Sequence, residues 1–470
     1  MDYIRTEATG QLVFEHASEY LLIPSCLYGF HNTRTEEKLT KQGRLAFVHY
    51  GEMDIPEEER ICERCGARMY VNDHPDIAIR HLPVGSHPSI LCLPHNQLRC
   101  PHCGATKGQY ISFKAEGHRI TEQLYKFTRD LLAMNTFTNK QISQITGLGK
   151  NTVRAIDLKR LEESYTVKGK LIKPEQRAKF LGIDEFSLHQ GHHYATIIID
   201  LETGHILWIA KGRKKQVVYD FIDHVGLDWM DSVEAVACDM NSDFQEAFEE
   251  RCPHIQPVFD YFHIVKNFND KVVSEVRRAE QRRLLEEGDI DGARALKRTR
   301  YILMSNRSTL QKKDAEAAAG KVLRRGSGLF GTEDFVRNGG LERRYDDLLA
   351  QNKLLFTLDL VKEKLADAYT ERNEPRMARK IIDIIDLCEA TDCTQLHWFG
   401  RLLNNHFEGI IAHATYPISS GKVEGINRRI KTVRRQGYGF PNDEYFFLKL
   451  FDMSRSRPTA PSQQSHGIWD

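Results

Sequence analysis

The stretch Lys179-Phe-Leu-Gly-Ile-Asp-Glu-Phe-Ser-Leu188 decides how this chain is read. Phe180, Leu181 and Ile183 are apolar, and the run predicts a strand that delivers Asp184 as it leaves the core. A polar turn, His189-Gln-Gly-His-His193, leads into Tyr194-Ala-Thr-Ile-Ile-Ile199. Asp200-Leu-Glu-Thr-Gly204 then turns the chain into His205-Ile-Leu-Trp-Ile-Ala210. Three β-rich runs joined by short turns containing Gly predict a meander. An amphipathic helix over 214–224 follows, and then Val233-Glu-Ala-Val-Ala-Cys-Asp239, a second strand that ends on a carboxylate. Two strand-borne aspartates at the exit of one sheet form a metal-site arrangement, and carboxylates are hard ligands that suit magnesium or manganese.

Working outward, a helix over 242–248 and the strand Gln256-Pro-Val-Phe-Asp260 complete the order β-β-β-α-β-α-β, which is the ribonuclease-H-like order. Asp260 competes with Asp239 for the second carboxylate position, because it also lies at a strand end. Residues 271–401 are helical and charge-rich and interrupt this α/β core as an insertion. The core resumes over 402–458 with the helix Ser420-Gly-Lys-Val-Glu-Gly-Ile-Asn-Arg-Arg-Ile-Lys-Thr-Val-Arg-Arg435. Val423, Ile426, Ile430 and Val433 form one stripe, expected to pack on the sheet. Glu424, Asn427, Arg428, Lys431 and Arg435 form another, and a first-turn carboxylate beside bases suits a metal site acting on a polyanion. Arg428, Lys431, Arg434 and Arg435 are accordingly expected to contact DNA.

Upstream of the core, Cys62-Glu-Arg-Cys65-Gly66 is matched by Cys100-Pro-His-Cys103-Gly104. Paired CxxCG knuckles give four thiolates the tetrahedral geometry of a structural zinc, with each Gly allowing the tight turn. The pieces 76–82 and 89–93 between them are expected to form the hairpin of a zinc ribbon over 61–110. Residues 1–60 read as a small α/β lead-in without a motif. Residues 111–168 form a domain whose residues 119–160 read as helices, and the run 137–156 has helix-turn-helix form. Ile142 and Ile145 lie on its first helix, Gly147 in the turn, and Val153 and Ile156 on its second. Lys150, Asn151, Thr152 and Arg154 open that second helix, where a recognition helix presents side chains to phosphates and base edges.

Composition supports this division. The whole chain carries a formal charge of only +1. Residues 1–60 nevertheless hold 6 basic against 11 acidic side chains, residues 265–325 hold 16 against 9, and residues 396–458 hold 10 against 5. Basic surface is thus concentrated in the later parts. No run approaches the ~20 apolar residues of a membrane span, and no signal peptide is visible, so a cytoplasmic, nucleoid-associated protein is expected. Its ten cysteines are then reduced or metal-bound rather than disulfide-paired. Residues 459–470 read as a flexible tail.

These motifs, in this order, resemble bacterial DDE transposases of the ISL-three insertion-sequence family. The resemblance rests on the CxxCG pair, His81-Leu-Pro83, the helix-turn-helix, Gly182-Ile-Asp-Glu-Phe186, Cys238-Asp-Met240 and Asp260-Tyr-Phe-His263. It continues through Ser420-Gly-Lys-Val-Glu-Gly-Ile-Asn427, Arg434, Arg435 and Tyr438-Gly-Phe440. It implies a catalytic triad of Asp184, Asp239 and Glu424 that binds two magnesium or manganese ions. It also implies double-stranded DNA as partner and substrate, cleavage at terminal inverted repeats, strand transfer into a target, and a homodimer on DNA. A transposase-derived regulator without catalysis and another ribonuclease-H-like nuclease are the alternatives. The intact triad argues against the first, and the cysteine knuckles and helix-turn-helix argue against the second.

Overall fold

The computed structural model describes residues 4–5, 12–14, 27, 29–40, 43, 45–189, 191, 193–240, 242–325, 333–336, 338–437, 440 and 442–455. Tyr438, Gly439 and the expected tail lie outside them. The chain divides into two compact units, residues 1–172 with 432–470, and residues 173–431.

The first unit begins with strands β1 (Ile4–Arg5), β2 (Leu12–Phe14), β3 (Phe30–Leu39) and β4 (Leu45–Met53). After Cys62 and Cys65 come β5 (Tyr70–Asp73), β6 (Asp76–Val84), β7 (His87–Pro94), β8 (Gln97–Arg99) and β9 (Thr106–Gly108). β6 and β7 pair antiparallel, as the expected hairpin does, but they do not belong to a zinc ribbon. Alternation along them buries Ile79, Leu91 and Leu93 against Leu27, Ile111 and Phe113. β7 also lies parallel to β4 from Phe47↔Ser89 to Tyr50↔Cys92, so the hairpin completes a six-stranded sheet in the order β1-β2-β3-β4-β7-β6. The knuckles sit instead on the small sheet β5-β8-β9.

Helices α1 (Glu122–Ala133), α2 (Asn139–Thr146) and α3 (Lys150–Tyr165) follow. Thr138 and Gln141 form a capping box at the start of α2, and Gly147 ends it in the left-handed conformation at φ 69°. Ile142, Val153 and Ile156 are buried, whereas Ile145, expected beside Ile142, is 41% exposed. The C-terminal helix Asp443–Arg455, grouped with the catalytic core by sequence order, packs on α3 in this first unit. A buried polar network joins the two helices. Asp157 accepts from Arg160 at 2.8 Å, Tyr445 at 2.7 Å and Lys449 at 3.1 Å. Asp452 accepts from Arg160 at 2.8 Å, Tyr165 at 2.9 Å and Asn135 at 2.6 Å. The hairpin β10 (Thr166–Val167) and β11 (Lys170–Leu171) leads out of α3.

The second unit is built on β12 (Phe180–Ser187), β13 (Tyr194–Asp200), β14 (Ile206–Lys211), β15 (Ala235–Cys238) and β16 (Gln256–Phe259). The sheet order is β14-β13-β12-β15-β16, antiparallel through the first three and parallel from β12 to β16. α4 (Lys215–Val225), the short α5 (Leu227–Met230) and α6 (Ser242–Arg251) supply apolar residues to one face. There Val218, Phe221, Phe244 and Phe248 share a core with Leu181, Ile183, Val236 and Cys238. α7 (Tyr261–Asn267) leaves β16 and opens a helical region in which α8 to α16 run from Ser274–Glu286 to Phe407–Ile411. This region also holds a strand pair, β17 (Val322–Arg325) with β18 (Glu333–Val336). It shares one continuous core with the sheet, and the Phe268 and Phe399 rings meet at 4.8 Å. α17 (Gly421–Gln436) then returns to the sheet's other face.

Candidate functional site

Asp184 and Asp239 are brought together by strand register. β12 and β15 run parallel with Phe180 opposite Ala235 and Gly182 opposite Ala237. Two residues further on, the same register sets Asp184 beside Asp239. Side chains alternate along strands, so Gly182 and Asp184 share the face opposite Leu181 and Ile183. β12 does not end at Asp184. It continues to Ser187 against β13, while β15 stops at Cys238 and opens the sheet at this point.

α17 covers this face because Gly182 lets it approach. A Cβ at Gly182 would lie 2.6 Å from Val423 and 2.8 Å from Leu201. One helical turn beyond Val423 and one strand repeat beyond Gly182, the Asn427 amide donates to the Asp184 carboxylate at 2.6 Å. Asn427 is therefore buried in the stripe of Val423 and Ile430 rather than on the polar face assigned from sequence, and Ile426 is only half-buried. The Asn427 Oδ1 is buried without a hydrogen-bond partner among the described residues. Glu424 lies one turn before Asn427, and its carboxylate pairs with Arg428 at 2.6 Å.

The carboxylates sit among histidines. The His263 Nδ1 on α7 lies 3.4 Å from the Asp239 carboxylate. Burial pulls the His406 imidazole below its usual range, against the attraction of Asp239. Burial raises the Asp184 carboxyl above the ordinary range and the Asp239 charge adds to that, while the Glu185 backbone N–H, His263 and Asn427 pull it back. A buried carboxylate with a like charge beside it is an acceptor site for a hard cation. Asp184 and Asp239 thus meet, but Glu424 does not close on them. Among the described residues, the four cysteines are the only group of three or more metal-competent side chains whose ligand atoms all lie within 4.8 Å of one another.

Asp260, the rival carboxylate, is turned away from this chemistry. It is 5% exposed and accepts from Phe262 N–H at 3.3 Å and from Ser420 N–H and Oγ at 3.0 and 2.5 Å.

In the first unit, the sulfurs of Cys62, Cys65, Cys100 and Cys103 converge. Cys62 and Cys65 each lie 3.6 Å from Cys103, and Cys65 lies 3.5 Å from Cys100. Zinc–thiolate bonds of about 2.3 Å set the edges of a sulfur tetrahedron at about 3.8 Å, so this donor set fits zinc. Backbone N–H groups of Cys103 and His102 help hold the Cys100 thiol at about 6, toward the thiolate that a metal requires. Cys92 lies in β7, apart from the cluster, and His95 bonds the Gln109 carbonyl at 3.1 Å.

The expected DNA-contacting residues separate. Lys150 and Asn151 are exposed at the start of α3, and Thr152 is half-buried. Arg154 stacks over the Tyr445 ring at 5.5 Å. With Phe137, Lys150, Phe440 and Tyr445 it lines a cleft of about 380 Å³ between α3 and the C-terminal helix. Arg428, Lys431 and Arg435 are exposed along α17, and Arg434 is half-buried.

Comparison with known proteins bears on the whole arrangement. A family model described as transposase, of the ISL3 DDE type, matches residues 181–450. A transposase for insertion sequence element IS1001 from Bordetella parapertussis is 27% identical over 393 residues, spanning 83% of this chain and 87% of that protein. A transposase for insertion sequence element IS1557 from Mycobacterium tuberculosis is 24% identical over 294 residues, 61% of this chain and 62% of that protein. No helix among the described residues is long and apolar enough to cross a membrane.

Proposed function

The chain belongs to the ISL3 family of DDE transposases, and on that premise we propose that it binds the terminal inverted repeats of an insertion sequence and catalyses metal-dependent strand cleavage and strand transfer. The observation that carries the reading is the register pair Asp184 and Asp239 on one face of a sheet, beneath the helix that bears Glu424. The sheet order β14-β13-β12-β15-β16 fits a ribonuclease-H-like core. In this reading Asp184, Asp239 and Glu424 hold two magnesium or manganese ions. Such ions, when bound, activate a water or a DNA 3′-hydroxyl and stabilise the leaving oxygen of an in-line displacement. Asn427 orients Asp184 through its amide, and His263 orients Asp239. With an ion bound, Glu424 would be its third carboxylate ligand, and Arg428, Lys431 and Arg435, exposed on the same helix, would face the phosphates.

α2 and α3 form a helix-turn-helix whose exposed Lys150 and Asn151 meet the transposon ends. Arg154 contributes through the cleft it shares with Tyr445 rather than as a solitary finger. The cysteine cluster holds a structural zinc. Synapsis of two ends calls for a homodimer on DNA.

The test is cleavage of DNA carrying the element's own ends, with manganese present. Asp184→Asn, Asp239→Asn and Glu424→Gln are each expected to abolish cleavage while leaving end binding intact. Wild-type cleavage by any one of them removes that residue from the triad.

A further inference from the structure

The geometry points to Asp260 as the positioning residue that fixes the helix bearing Glu424 and Asn427 against the sheet. The inference rests on the catalytic reading above and adds to it the part that sets the third carboxylate in place.

Asp260 follows the last residue of β16, and its backbone is extended, with φ −75° and ψ 141°. Its two oxygens serve two different helices. Oδ1 accepts from the Phe262 N–H and so caps α7, the helix that carries His263. Oδ2 accepts both the N–H and the Oγ–H of Ser420, the residue immediately before α17. The two residues are 160 positions apart in sequence, and both are buried, at 5% and 3% exposed. One carboxylate therefore fastens the helix that touches Asp239 to the helix that touches Asp184. The long helical region between them leaves α17 without a short covalent tether to β16, so this clasp fixes where α17 starts. From that start, Val423 falls on Gly182 and Asn427 falls on Asp184.

A carboxylate is required because the clasp needs acceptors on both sides. An amide at this position accepts through one oxygen only, and its NH₂ meets either the Phe262 N–H or the two Ser420 donors. Asp260→Asn keeps the shape and breaks one of the two attachments. Among the described residues, the three bonds to Asp260 come from protein donors, which separates its role from that of a metal ligand.

The experiment uses the full chain as wild type, Asp260→Asn and Ser420→Ala. The first readout is hydrogen exchange of the intact proteins without DNA. Losing one charge-assisted bond is expected to speed exchange roughly tenfold or more over residues 421–427 in Asp260→Asn, with protection kept in β12 and β13. Ser420→Ala, which keeps the N–H bond, moves the same way by less. The second readout is manganese alone, titrated by electron paramagnetic resonance and again in the cleavage assay. Asp260→Asn is expected to raise the half-saturating manganese concentration roughly tenfold, and to recover much of its cleavage when manganese is saturating. Unchanged exchange over 421–427 in both variants overturns the proposal. So does an Asp260→Asn protein with normal exchange that binds no manganese, because that makes Asp260 a ligand. Should Asp260→Asn fail to fold, Ser420→Ala decides by the same two measurements. A wild-type protein that cleaves no ends defeats the transposase reading alone, since the exchange result stands without DNA.

Discussion

At the scale of single residues, the site depends on one missing side chain. Gly182 lies beneath α17, and a Cβ there meets the stiff, fully buried Val423. Gly182→Ala is expected to cost about 1–3 kcal/mol of stability through overpacking. It should lower cleavage by more than that loss implies, because the shifted helix carries Asn427 and Glu424. Chemical denaturation and the end-cleavage assay check both effects, and Gly182→Ala/Val423→Ala should restore part of the cleavage by reopening the space beneath α17, with the Leu201 contact remaining. Wild-type stability and cleavage in the single variant would refute the close approach. The same residues mark how far the sequence could be read. Cys62, Cys65, Cys100 and Cys103 are legible because short spacing alone makes a knuckle. Asp184 and Asp239 are legible because each follows an apolar run. Asn427 was not, because its burial is decided by β12, whose Asp184 lies 243 positions upstream. Its residue type argued only for the polar face of its own helix.

At the scale of elements, local signals placed the helices and strands, and long-range pairing decided their company. The capping box and glycine turn of α2 are written within nine residues of one another, so that element was legible. The hairpin β6–β7 was legible as a hairpin, but its parallel pairing with β4 depends on a register between Phe47 and Ser89. The C-terminal helix was grouped by chain order with the sheet, yet its buried Asp452, Lys449 and Tyr445 find their partners on or beside α3. That network yields a prediction. Burial alone would raise the Asp452 carboxyl, but hydrogen bonds from Arg160 and Asn135 and the Arg160 charge hold it below the usual range. Asp452→Asn leaves Arg160, 6% exposed, with Asp157 as its one carboxylate partner among the described residues, and should destabilise the first unit by about 3 kcal/mol. The pair of half-buried Arg129 and exposed Glu163 on α1 and α3 is the control. Glu163→Gln should change stability by well under about 1 kcal/mol. Urea denaturation compares the two variants, and equal small effects would show that the buried network contributes only specificity.

At the scale of the whole molecule, buried histidines should make both units lose stability in acid, and in the second Asp184 works against that loss. In the first, His49 is buried between Thr35 and Ser89, which it meets at 2.9 and 3.0 Å, and His81 bonds Thr121 at 3.0 Å. Burial takes His49 to about 4, with His81 acting in the same direction, and burial takes His81 to about 4. An unfolded histidine titrates near 6.5, so between roughly pH 6.5 and 4 the unfolded state binds more protons. Stability of this unit therefore falls as pH falls through that window. Below it, Asp452 acts the same way, because a depressed carboxyl loses its contribution as pH drops through its folded value. In the second unit the sign reverses at Asp184. Asp184 is raised above its unfolded value, so the folded state binds the extra proton, and the metal-free site loses stability as pH rises through the folded value. Hydrogen exchange of the metal-free protein at pH 7 and pH 5, corrected for intrinsic rates, separates the two. Protection in β3, β4 and β7 should drop at pH 5, while protection in β12 and β15 should drop less, because Asp184 there opposes His406 and His413. Adding manganese at pH 7 should raise protection in β12 and β15 and leave β3, β4 and β7 unchanged, because the proton and the cation both neutralise the buried Asp184 charge and ease its repulsion from Asp239. An equal loss of protection in both units at pH 5, with no gain in β12 and β15 on adding manganese, would mean that Asp184 does not govern the stability of the sheet that carries it.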